Sequence, residues 1–237
     1  MRDNRLRQLL DSGAPSIGTH VQISSPTMVE VIGQAGVVDY VEFVAEYAPY
    51  DLYALDNFSR AVELFDHLSA MIKVDQESRA FVAQRAIGSG MQSVLFADVR
   101  SVEDVKDCVS AVRADTPQTG GRYGATDRRF ARFDAQMRDY VQALDDVVVA
   151  IMIEKESAIK DLEAILSISG IDMVQFGPSD YSMSIGKLDR DAYRAQGVLE
   201  IEEEVIKTAL KLGIHPRAEI NTPRDAERYL EMGVRHF

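Results

Sequence analysis

The chain has 237 residues, 46% hydrophobic and 27% charged, which is enough to bury one sizeable core in ordinary globular proportions. Its 26 basic residues against 38 acidic ones leave a formal charge of -12, which opposes attraction to nucleic acid and to anionic membranes. The single cysteine, Cys108, excludes an intrachain disulfide, and no stretch approaches the roughly 18 apolar residues of a membrane span.

In chain order, the opening MRDNRLRQLL sets Leu6, Leu9 and Leu10 at helical spacing, which predicts a short amphipathic helix rather than an export signal. A cytoplasmic protein is expected. Strand-like runs then fall at residues 16–22, 40–46, 70–74, 92–96, 147–154, 173–176, 215–218 and 234–237. Between them, helical patterns cover 26–34, 52–65, 78–87, 102–111, 157–166, 198–212 and 223–232. Ser25 before Pro26, Ser101 three residues before Asp104, and Thr222 before Pro223 are helix-start signals. Gly88, Gly213 and Gly233 are expected as C-terminal caps.

Eight β/α alternations in one unbroken domain favour a TIM-type (β/α)8 barrel over an open doubly wound sheet, which is the alternative. One stretch breaks the rhythm. Residues 114–134 (ADTPQTGGRYGATDRRFARFD) form a long glycine- and arginine-rich loop, expected after strand four and over the barrel mouth, where it covers substrate or meets a neighbouring subunit. Its glycine spacing matches neither phosphate-binding fingerprint.

The most informative residues are two acids that close apolar strands. Glu154 ends the run VVVAIMI, and Asp180 follows IDMVQF across the turn GPS. Buried parallel strands that end in carboxylates deliver ligands to a barrel mouth, and two of them point to a shared divalent cation.

The order of motifs resembles the HpcH/HpaI aldolase family of metal-dependent pyruvate-type aldolases, over nearly the whole chain. SIGTHVQISSPTMVEVIGQAGVVDYVEF, GGRYG, IEKESAIKDLEAI and GIDMVQFGPSDYSMSIG carry the resemblance, the last two most specifically. It implies that Glu154 and Asp180 bind the metal, Mg2+ or Mn2+ by their hard oxygen donors. It also implies small-molecule partners, a keto-acid and an aldehyde, joined or parted through a pyruvate enolate whose oxyanion the cation stabilises.

Elsewhere the chain departs from the family's pattern. Where the family carries a histidine base after strand two, this chain has Tyr47 behind a matching Glu46, and tyrosine is a poor base at neutral pH. His20, near the mouth end of strand one, is a candidate replacement. Lys73 stands where the family clamps the keto-acid carboxylate with arginine, which keeps the charge and loses the bidentate fork. A Schiff-base role for Lys73 is the lesser alternative. Met152 replaces a glutamine two residues before Glu154. Arg122 matches the arginine of the glycine-rich motif and is assigned to loop positioning and substrate binding. Ser179 and Gly177 correspond to the small residues whose backbone meets the substrate carboxylate.

Family barrels continue into a C-terminal helix exchanged between subunits, whereas the sequence ends at Phe237 in the apparent eighth strand; a homo-oligomer is expected where that helix is present. The reading is a divalent-metal-dependent carbon-carbon lyase acting on a 2-keto-acid or hydroxy-keto-acid. A citrate-lyase-like or decarboxylating relative, and a non-catalytic binding protein derived from the aldolases, remain as alternatives.

Overall fold

In a computed structural model, which describes residues 2–125 and 136–237, strands and helices alternate from end to end. The order is α1 (Arg5–Ser12), β1 (Gly18–Val21), α2 (Pro26–Ala35), β2 (Tyr40–Val44), α3 (Leu52–Val62), β3 (Ser69–Val74), α4 (Arg79–Ser89), β4 (Ser93–Val99) and α5 (Val102–Val112). It continues with α6 (Met137–Asp145), β5 (Val148–Ile153), α7 (Glu156–Lys160), α8 (Leu162–Leu166), β6 (Met173–Phe176), α9 (Pro178–Ser184), α10 (Gln196–Leu212), β7 (His215–Arg217) and α11 (Ala226–Met232). The strands form one parallel sheet in the order β1-β2-β3-β4-β5-β6-β7.

Of the expected start signals, Ser101 and Thr222 cap with their side chains, whereas Ser25 stands at the N-cap of α2 without a side-chain bond, and Asp51 adds a cap outside that set. The Ser101 hydroxyl accepts from the Asp104 N–H at 3.2 Å, and the Asp51 carboxylate accepts from the Ala54 N–H at 2.7 Å, so each satisfies an amide that the first helical turn leaves open. Thr222 and Asp225 cap each other's backbone around Pro223. The cap assigned to Gly88 falls instead on Gly90, whose φ of 113° closes α4, because the helix runs two residues past its apolar pattern, to Ser89.

Period-two alternation divides the side chains into two layers. Val41 and Phe43, Ile72 and Val74, and Val149, Ile151 and Ile153 pack outward in the core shared with the helices. Tyr40, Met71, Leu95, Val148, Ala150, Met152 and Met173 face the opposite side, where Leu6 and Leu10 of α1 join them. Both faces of the strands are therefore buried, which is why β5 reads as a continuous apolar run and β2 and β3 as apolar runs interrupted by Glu42 and by Ser69 and Lys73.

The sheet curls upon itself: Glu42 of β2 and Arg217 of β7, near its opposite edges, meet across the inner face at 2.5 Å. Residues 234–237, expected as an eighth strand, contribute no strand to the sheet. They supply isolated parallel bridges from His236 to both Ser16 and Arg217, because the Phe237 N–H donates to Ser16 and the Ala218 N–H to His236.

The loop expected over the mouth is also corrected for the part described. It follows α5, not a strand, and residues 114–125 fold back on the helices. Ala114 bridges Tyr123, and the buried Tyr123 donates its hydroxyl proton to the Gln84 carbonyl of α4. The remainder, 126–134, lies outside the described residues. Among the described residues no helix is long and apolar enough to cross a membrane.

Candidate active site

The inward-facing positions of each strand continue to the C-terminal edge of the sheet, where polar side chains replace apolar ones. Above Met71 on β3 stands Lys73; above Met152 comes Glu154; above Met173 come Gln175 and Gly177. The result is a cavity of about 1130 Å3 whose lining includes His20, Tyr47, Lys73, Gly177, Ser179 and Asp180. A smaller acidic pocket of about 350 Å3 adjoins it, lined by Glu46, Asp75, Gln76, Glu77, Asp98, Glu154, Lys155 and Asp180. Asp180 borders both.

Glu154 is 3% exposed. Its Oε1 accepts from the backbone N–H of Asp98 at 2.6 Å. Burial pushes its carboxyl up to about 7, and the nearby Asp180 charge adds to the rise, against the Asp98 amide and the Lys73 and Lys155 ammoniums that lower it. Gly177 makes this crowding possible. A Cβ there would lie 2.5 Å from Glu154 Oε2, closer than any side chain tolerates.

Lys73 is equally enclosed, with 8% of its side chain exposed, and its Nζ lies 2.5 Å from Glu46 Oε2. Burial lowers its pKa, yet the Glu46 hydrogen bond and charge outweigh burial, so the ammonium is held above its ordinary value. That disfavours the neutral amine a Schiff base requires. Tyr47 sits at the rim, 57% exposed, with its ring under the Lys73 ammonium at 4.9 Å. Its phenol is pushed up, mainly by burial of the hydroxyl, which moves it further from use as a base.

Other sequence candidates divide. His20 is exposed on the cavity wall and makes no hydrogen bond among the described residues. Ser179 lines the cavity at the start of α9. Arg122 does not line it: its guanidinium donates to the Asp107 carbonyl of α5 at 3.0 Å, which ties down the loop.

Several residues that the sequence reading passed over complete the site. Asp98 stands beside a shift in the β4–β5 register, in the left-handed region at φ 55°, and its carboxylate pairs with Lys155 at 3.1 Å and Arg100 at 3.0 Å. Lys155 also donates to Asp180 at 2.9 Å. Beneath them, Arg217 holds Glu42 at 2.5 Å and Gln175 at 2.6 Å, forming a polar floor. The signals were a charge within YVEFV and an acid within SVLFADV.

Among the described residues no three His, Cys, Asp or Glu side chains gather as a ready-made metal cage. The fit to a metal rests on two carboxylates. Glu154 and Asp180 share a pocket of oxygen donors, in which burial first and the Asp180 charge second hold the Glu154 carboxyl up. A hard divalent cation completed by water suits that donor set.

The sequence profile of the HpcH/HpaI aldolase/citrate lyase family matches residues 16–236. The chain belongs to this family. Among its relatives, a hydroxypyruvate/pyruvate aldolase of Agrobacterium fabrum is 30% identical, over 98% of this chain and 85% of that protein. A crystal structure of a family protein from Burkholderia cenocepacia superposes with a TM-score of 0.87 at 25% identity, covering 99% of this chain and 91% of that one. A more distant likeness joins it to a citrate lyase beta subunit of M. tuberculosis, solved with oxaloacetate and magnesium, at a TM-score of 0.63 and 10% identity over 96% of this chain and 92% of that one. Family membership establishes the lyase character of the chain, as the motif order implied.

Proposed function

We propose that the protein is a divalent-metal-dependent carbon-carbon lyase that forms a pyruvate-like enolate from a 2-keto-acid or hydroxy-keto-acid. One observation carries this reading: Glu154, directly after β5, and Asp180, in the first turn of α9 that follows β6, line one pocket beside the cavity that contains Lys73. The magnesium in the distant citrate lyase subunit and the pyruvate chemistry named for the A. fabrum relative support it.

In this reading Glu154 and Asp180 hold Mg2+ or Mn2+, and the bound cation supplies Lewis-acid stabilisation of enolate charge. The remaining work belongs to the chain. The Lys73 ammonium, kept charged by Glu46, attracts the keto-acid carboxylate as a point charge. Ser179 and the backbone beside Gly177, which line the same cavity, fix that carboxylate. Glu46, or water that it orients, moves the proton that the family's histidine moves elsewhere; His20 is the alternative group. The isolated bridges of His236 to Ser16 and to Arg217 of β7 support closure of the single domain, with its curled seven-stranded sheet, as a barrel around this site.

Tyr47 in the base position favours one second reading, a decarboxylating relative, because breaking the bond to a carboxylate carbon releases CO2 and leaves the enolate with no proton to be taken from carbon or hydroxyl. The test is addition of pyruvate, and separately hydroxypyruvate, to a panel of aldehydes, followed by NMR on chelator-stripped and metal-restored protein. Aldol product that appears only with Mg2+ or Mn2+ is expected. Equal product in chelator overturns the metal assignment, and product with no aldehyde but turnover of oxaloacetate moves the assignment to the second reading.

A further inference from the structure

The residue directly after Glu154 is a lysine, and its placement is unusual for a site that is to receive a cation. Backbone at Lys155 is extended, with φ -128° and ψ 143°, as the chain leaves β5 for α7. The side chain lines the acidic pocket, where it is 10% exposed. Its Nζ donates to Asp180 Oδ1 at 2.9 Å and lies 3.1 Å from Asp98 Oδ1. Asp180 itself keeps 38% of its side chain exposed. The acid assigned to the metal therefore carries an ammonium on one oxygen.

We propose that Lys155 is a resident cation of this site, which neutralises Asp180 while no divalent ion is bound and withdraws to Asp98 when one binds. The inference rests on the assignment of Glu154 and Asp180 to a metal. Asp98 makes the exchange feasible. Its carboxylate is a second anchor already in contact with Lys155, it is held in place by Arg100 at 3.0 Å, and its backbone N–H fixes the other metal carboxylate. An ammonium released from Asp180 thus stays paired and leaves no uncompensated charge behind.

Two consequences follow from charge alone. A divalent cation has to displace an existing ion pair before it gains Asp180, and after binding it remains near an ammonium of like sign. Lys155 therefore weakens the site for divalent ions relative to the same site with a neutral residue, and it keeps the metal-free protein from holding two bare carboxylates together.

The experiment is titration of the intact, chelator-stripped protein with Mn2+ alone, read by the EPR signal of free Mn2+ and by calorimetry, at one pH. The unsubstituted protein is compared with Lys155→Met, Lys155→Arg and Glu154→Gln, each first shown folded by circular dichroism and thermal melting. Lys155→Met, close in length and without charge, is expected to bind Mn2+ at least about tenfold more tightly. Lys155→Arg, which keeps the charge, is expected to stay near the unsubstituted protein, and Glu154→Gln to lose the site. Equal or weaker binding by Lys155→Met, with binding still dependent on Glu154, overturns the proposal and leaves the metal assignment standing. Binding indifferent to Glu154→Gln overturns the metal assignment and the proposal with it.

Discussion

Replacing Arg217 by methionine gives the sharpest stability prediction. Arg217 and Glu42 lie 2.5 Å apart on the inner face, with only 8% and 5% of their side chains exposed, and Gln175 is bonded to the same guanidinium. Arg217→Met removes the cation and leaves the Glu42 carboxylate enclosed with no charge partner. Breaking a buried pair in this way costs about 3–5 kcal/mol. For a domain of this size each kcal/mol moves the melting temperature by about 2–4 °C, so a fall of roughly 6–20 °C is expected. Removing both charges, in Glu42→Leu with Arg217→Met, takes away the desolvation penalty together with the attraction, and the double variant is expected within about 2 kcal/mol of the parent or above it. Urea and thermal melts by circular dichroism measure both. A single variant within about 1 kcal/mol of the parent would mean that water reaches the pair, and the description of a closed polar floor would be wrong.

His236 predicts a pH dependence. Burial, followed by the neighbouring His215, lowers its pKa to about 4, while its Nδ1 is engaged with the Ser16 hydroxyl at 2.9 Å. The unfolded chain, with histidine near 6.5, binds this proton before the folded one does, so the contribution is present above about 6.5 and is lost as pH falls toward 4. The drop is worth roughly 3 kcal/mol, and denaturant melts from pH 7 to 4 should show a shallower fall for His236→Asn; an unchanged slope would remove His236 as its source. Gly177→Ala drives a methyl group to within 2.5 Å of Glu154 Oε2. It is expected to weaken Mn2+ binding at least about tenfold while the secondary structure stays intact, and unaltered affinity would show that the pocket relaxes freely.

Much of this site was visible in the sequence because strand burial writes it there. β5 and β6 are buried on both faces, so their apolar runs stand out and the acids that end them are conspicuous. Asp98 obeys the same rule, but the apolar pattern of β4 predicts an end at Phe96, whereas a register shift carries the strand on to Val99. The partnership of Glu42 with Arg217 links strands far apart in the chain, and only the curl of the sheet brings them together. Helix α9 was hidden by its own start: GPSD reads as a turn, although Pro178 occupies the first helical turn, where its missing N–H costs nothing. The apolar spacing over 157–166 predicts one helix, whereas the chain is broken at Asp161 into α7 and α8, a local backbone choice that the spacing does not reveal.

The central claim is that Glu154 and Asp180 together support enolate formation. Exchange of pyruvate methyl protons with deuterium oxide, followed by proton NMR, isolates that step from any choice of aldehyde. The account predicts exchange with Mg2+ or Mn2+ that disappears with chelator and in both Glu154→Ala and Asp180→Ala. Exchange that survives loss of the metal or of either acid, in folded protein, would contradict it.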